Sequence, residues 1–149
     1  MDIYIKLNMK SLTSFINESA KQISALELFV NAIINAKGDK IALYILDSGA
    51  THDLYKDYEN IMLLISKLNI NVTVFGFSSS VYEIKSAKDF KHSGPHGSVE
   101  MLSDNLLLNR DKFNEFILIS DEIDAKALPE LVNDIKSELK AKISYHIIK

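Results

Sequence analysis

The chain has 149 residues, 47% of them hydrophobic and 25% charged, which is the balance of one globular domain with a single sizeable core. A formal net charge of −3 excludes the broad attraction on which nucleic acid binding relies, and the absence of cysteine excludes a disulfide framework and a thiolate zinc site. MDIYIKLNMK lacks the long apolar core of a signal peptide and no apolar run approaches membrane-spanning length, so the expectation is a cytoplasmic protein that does not engage membranes.

Ile3 to Leu7 alternates and reads as a short strand. Leu12 to Ala36 carries Phe15, Ile16, Ile23, Leu26, Leu28, Phe29, Ala32 and Ile33 at helical spacing, with Ser11 or Thr13 as cap and Gly38 as stop. Residues 1–39 are therefore expected to be an amino-terminal strand and helix extension of one 1–149 domain. Ile41 to Leu46 is a continuous apolar run of strand length, the pattern of a strand covered on both faces, and it ends abruptly in Asp47, Ser48 and Thr51. A carboxylate followed by hydroxyls at the carboxyl end of such a strand offers oxygen ligands to a hard cation, in the crevice where open α/β sheets bind their ligands.

Tyr58 to Leu68 is helical, with Ile61, Leu64, Ile65 and Leu68 at three- and four-residue steps, and Asn71 to Phe77 is β-rich before Ser78, Ser79 and Ser80. Lys85 to Ser98 has no clear periodicity and contains Gly94, Pro95 and Gly97, which predicts that Lys85 to Gly97 is an exposed, mobile loop, part of the partner surface, whose removal leaves the fold intact. His92 and His96 within it are expected to face solvent rather than to bind zinc. Val99 to Leu108 reads as a helix, Phe116 to Ser120 as a strand ended by Asp121, Leu128 to Leu139 as an amphipathic helix with Pro129 in its first turn, and Ile143 to Ile148 as a closing strand. The alternation predicts an α/β fold, a doubly wound and mainly parallel sheet flanked by helices. Tyr44 and Phe77 read as packing residues, because no basic residues interleave them, and Lys136 to Lys142 as a solvated face.

Three polar clusters then fall at one end of the sheet: DSGAT at Asp47 to Thr51, HGSVEML at His96 to Leu102, and ILISDE at Ile117 to Glu122. This set resembles the von Willebrand factor A domain, whose D-x-S-x-S loop, Gly-Gly-Thr-like loop and Thr-Asp-Gly-like loop together bind a divalent cation. Val72 to Ile84 is similar to that family's second strand, its phenylalanine and serine turn, and its short antiparallel edge strand. Carried over residue by residue, the resemblance implies Mg2+ or Mn2+ held by Asp47, Thr51, Ser98 and Asp121. Gly49 stands where the family has its middle serine, Thr51 replaces the final serine, and Ser98 replaces the threonine of the second loop. In another register Ile3 to Leu7 is the first strand, Asn8, Lys10 and Leu12 occupy the motif, and there is no cation site.

The resemblance implies a compact protein-binding or scaffolding module without catalysis, whose partner completes the cation's coordination or, where the metal is lost, meets the same loops directly. Two enzyme readings compete. Asp47 as nucleophile, Ser78 as phosphate-binding hydroxyl, Lys88 or Lys91 as the cation and Asp121 with Asp124 on magnesium would make a small haloacid-dehalogenase-like phosphohydrolase, but Gly49 stands where its general acid belongs. YILDSGATHDL is also similar to the active-site strand of retroelement aspartic proteases, although the helical periodicity that follows is foreign to that almost all-β fold.

Overall fold

A computed structural model describes residues 24–94, 97–121 and 124–148. Along the chain lie α1 (Ser24–Asn35), β1 (Ile41–Leu46), α2 (Tyr55–Leu68), β2 (Val72–Phe77), β3 (Val81–Ile84), α3 (Val99–Leu108), β4 (Glu115–Asp121), α4 (Leu128–Leu139) and β5 (Lys142–Ile148). The expected strand Ile3 to Leu7, with its alternative register, and the first half of the expected leading helix lie outside the described residues.

The strands form one five-stranded sheet in the order β3-β2-β1-β4-β5. β2, β1, β4 and β5 run parallel, and β3 returns antiparallel to β2 as a short edge strand. The protein is therefore α/β with a mixed, mostly parallel sheet. β1 lies in the middle, and all six of its residues are buried. That is why its sequence is an unbroken apolar run, since alternation survives only where one face meets water. Ile41, Leu43 and Ile45 face α1 and α2, packing with Phe29, Val30, Ile33, Tyr58, Ile61 and Leu64. Ala42, Tyr44 and Leu46 face α3 and α4, packing with Leu102, Leu106, Leu128, Leu131, Ile135 and Leu139. The strand period of two sorts successive residues of β1 into two separate cores.

Several boundaries differ from the sequence reading for identifiable reasons. α1 ends at Asn35, ahead of Gly38. Glycine at 38 answers to packing instead, because a Cβ there would stand 2.8 Å from Glu115 Cβ. Both Lys37 N–H and Gly38 N–H donate to Glu115 Oε1 at 2.8 Å, so the α1–β1 connection is fastened to the start of β4 by one buried carboxylate. Between β1 and α2 the chain makes a 3-10 turn over Gly49–Leu54, and α2 begins at Tyr55 rather than Tyr58. β4 extends by one residue in each direction, to Glu115 and Asp121.

The segment after β3 departs most from expectation. It contains a short 3-10 turn, Ala87–Asp89, closed by a capping box in which Asp89 Oδ2 accepts from the Lys85 and Ser86 N–H groups. Phe90 is buried against Tyr58, with ring centroids 4.7 Å apart. The residues that hold this segment down are far away in sequence, so no local periodicity announces them.

Candidate functional site at the carboxyl edge of the sheet

Because β1, β2 and β4 are parallel neighbours, their carboxyl ends deliver Asp47, Ser78 and Asp121 to one edge. Asp47 is completely buried. Its backbone N–H donates to the Phe77 carbonyl at 2.8 Å, continuing the β1–β2 ladder past the strand end. Its side chain turns toward the α2 face and is enclosed by donors. Lys91 N–H reaches Oδ2 at 2.8 Å, His92 N–H reaches Oδ1 at 2.6 Å, and the Tyr82 hydroxyl makes a short hydrogen bond to Oδ2.

Tyr82 was not singled out by the sequence, and its reach depends on a glycine. In the antiparallel pair Gly76 stands opposite Tyr82, and a Cβ at position 76 would lie 2.9 Å from the Tyr82 ring. The missing side chain on β2 lets the ring of β3 lie across toward β1. The Ser78 side chain lies close to the same hydroxyl, so Ser78, Tyr82 and Asp47 gather in one polar cluster. Desolvation, and then the carboxylate of Asp47, raise the pKa of this phenol well above its ordinary value, keeping it a donor. Lys91 Nζ sits 4.2 Å from the centroid of the same ring, on the outside.

Thr51 is buried and internally employed. Its hydroxyl donates to the Ser48 carbonyl at 2.9 Å and accepts from Ser48 N–H at 3.3 Å, while Ser48 Oγ accepts from Ala50 N–H, so the pair caps the 3-10 turn from both sides. His92 Nδ1 lies 3.2 Å from Thr51 Oγ1; with the threonine proton directed to Ser48, the imidazole is the donor. The same nitrogen stands 3.8 Å from Asp47 Oδ1, and the ring packs between Tyr58 and Phe90. His92 is thus mostly covered, contrary to the expectation of a solvent-facing residue; His96 lies outside the described residues. The backbone of His92 is left-handed, with φ 48, a conformation that costs of order 1–3 kcal/mol for a residue other than glycine and persists only where its surroundings enforce it. Here the hydrogen bond to Asp47 and the ring contacts supply that enforcement.

Asp121 shares the α2 face. It and Asp47 both act electrostatically on the Tyr58 hydroxyl, which donates to the Leu46 carbonyl at 2.6 Å and whose pKa is raised far above normal, chiefly by burial. Ser120, one residue earlier, points to the opposite face by strand alternation; its buried hydroxyl has no hydrogen-bond partner among the described residues. Ser98 is occupied at the amino end of α3, where its Oγ accepts from Met101 N–H at 3.3 Å and its own N–H donates to the Ser78 carbonyl at 2.7 Å. A Cβ on the preceding Gly97 would meet the Phe77 ring at 2.7 Å, so α3 starts hard against the end of β2.

Of the four residues assigned to a cation, Asp47, Thr51 and Asp121 gather around Tyr58, and Ser98 is tied to the neighbouring β2 loop. The oxygens of Asp47, Thr51 and Ser98 already serve the protein's own donors and carbonyls. Three donors take three of the roughly four lone-pair positions of the Asp47 carboxylate, so a cation is left the remaining position on Oδ1, beside His92 Nδ1, unless it strands a buried donor at about 1–3 kcal/mol. As arranged, the Asp47 carboxylate is committed first to the protein's own donors. Among the described residues no group of three or more His, Cys, Asp or Glu side chains is disposed to hold a metal ion, and no helix is long and apolar enough to cross a membrane. Compared with models of protein families, with curated proteins and with solved structures, the chain matches none.

Proposed function

We propose that this protein is a von Willebrand A-like binding module that meets a protein partner through the loops at the carboxyl edge of its sheet, without a cation. The observation that carries the reading is the use made of Asp47. In place of a charge presented to a ligand, its carboxylate is a buried clasp that gathers β3, the Lys91–His92 segment and the β1 loop into one fixed surface. Support for the family comparison lies in the strand order, in the short antiparallel β3 at the edge, and in the polar loops after β1 and β4 at the same end.

The rim of this edge suits a partner. Tyr55, at the start of α2, is 58% exposed and Met101, in the first turn of α3, is 42% exposed, and His52, Lys91 and Ser93 in the loops are exposed as well. Exposed aromatic and methionine side chains over a rigid base are the kind of anchor that carries interface energy. The enzyme readings lose their chemistry here. A phosphohydrolase needs an accessible nucleophilic oxygen, whereas both oxygens of Asp47 are enclosed and accept hydrogen bonds; an aspartic protease needs an almost all-β fold.

The test is affinity capture with the full chain as bait, beside a Tyr55→Ala, Met101→Ala variant and a Leu108→Ala control at the far end of α3. Partners recovered by the intact protein and the control but lost with the double variant support the reading. Equal recovery by all three places the binding surface elsewhere, and turnover of a generic aryl phosphate would revive the hydrolase.

A further inference from the structure

β5 is the last strand of the sheet on its side, with its outer backbone groups unpaired by any described strand, and its Tyr145 and Ile147 are 38% and 36% exposed. Open edges of this kind are a hazard that proteins usually cover. We propose that residues Ile3–Leu7 of this same chain cover it, adding a sixth strand parallel to β5.

The argument rests on the side of the sheet that α1 occupies. From β1 to β2 the chain moves toward the β3 edge, with α2 on the face that holds Leu43 and Ile45. From β4 to β5 it moves the opposite way, with α4 on the other face. The two crossovers therefore turn in one sense, the right-handed sense that parallel crossovers adopt in nearly every case. α1 lies on the same face as α2, packs against both α2 and β5, and leads through Lys37 and Gly38 to the start of β1.

A parallel strand joined to β1 through α1 must then move toward β3 to keep that sense, so it must begin beyond β5. From beyond β3 the same connection would be left-handed. α1 runs back toward the start of β1, which puts its Ser24 end at the carboxyl edge, where a strand parallel to β5 finishes. Residues 8–23 are ample to join them. The sequence supplies Ile-Tyr-Ile-Lys-Leu, alternating and of strand length, with β-branched residues suited to lie beside Tyr145 and Ile147.

Amide hydrogen exchange on the full chain tests this. The alternate β5 amides that turn away from β4 should exchange slowly, independently of protein concentration, and should lose about tenfold or more of that protection in Ile5→Pro, while β1 amides stay protected. Should that variant fail to fold, the lack of native cysteine permits a second route. Ile3→Cys, Tyr4→Cys, Ile5→Cys and Lys6→Cys are each combined with Tyr145→Cys or, at the opposite edge, with Val81→Cys. Intramolecular disulfides confined to the Tyr145→Cys series support the proposal. Unprotected outer amides, protection that survives Ile5→Pro in a folded protein, protection that grows with concentration and so assigns the edge to a second copy, disulfides to Val81→Cys, or no disulfide at all would each overturn it.

Discussion

At the scale of single residues, the carboxylates that matter most are those that accept several backbone or phenolic donors at once. Asp47→Asn leaves at least one of Tyr82 OH, Lys91 N–H and His92 N–H facing a donor instead of an acceptor, and should destabilise the protein by about 3 kcal/mol in denaturant unfolding. Tyr82→Phe removes one donor and keeps the ring beside Gly76 and Lys91, so its cost should be smaller, about 1–2 kcal/mol. Equal losses, or none, would mean that the clasp does not hold the loops. Ser120 gives the opposite sign. Its buried hydroxyl has no partner among the described residues, so Ser120→Ala should leave stability unchanged or raise it by up to about 1 kcal/mol, and a clear loss would show that the hydroxyl is employed. His146 on β5 has its pKa lowered, first by burial and second by Lys142. The folded state therefore binds this proton less readily than the unfolded chain. Its contribution is complete above the ordinary histidine value of 6.5 and is lost as pH falls from there through the lowered folded value. Unfolding at neutral and at mildly acidic pH should show a smaller acid-side loss for His146→Gln than for the unmutated protein.

At the scale of elements, the sequence announced what depends on neighbours along the chain and concealed what depends on neighbours in space. β1 was legible as an unbroken apolar run, β2 as a β-rich segment, and α3 and α4 by their spacing, because each pattern is the direct imprint of one or two buried faces. Asp47 and Asp121 were legible as strand-end acids of one sheet edge once the strands were read as parallel neighbours. Tyr82 was not, since its role needs the β2–β3 register and the gap at Gly76, and Glu115 was not, since its two N–H donors come from the α1–β1 connection. The segment from Lys85 to Gly97 is, in its described part, irregular and largely exposed as its composition predicts, but for the same reason its anchoring is not legible. Its Gly and Pro content suggests a water-satisfied loop, yet Phe90 and His92 are packed and two of its amides end on Asp47. Shortening it should therefore lower the unfolding midpoint sharply, because it removes buried aromatic surface and strands a buried carboxylate. A shortened variant as stable as the intact protein would restore the reading of a free loop.

At the scale of the whole molecule, two cores on either face of one sheet hold the amino edge and the carboxyl edge in fixed relation. The amino edge is fastened by Glu115 and the carboxyl edge by Asp47, each a buried acceptor for chain that would otherwise be loose. This division leaves Tyr55, Met101 and Lys91 exposed on the rim that we propose meets a partner. The central claim is that Asp47 clasps this surface and does not present itself to a cation. The most direct measurement follows the backbone amide resonances of Lys91 and His92 in the unmutated protein through a titration with Mg2+ and then Mn2+. The account predicts that both amides stay hydrogen-bonded and unshifted by Mg2+, without selective broadening by Mn2+. Saturable shifts at these two amides, with loss of their protection from exchange as the cation binds, would contradict it.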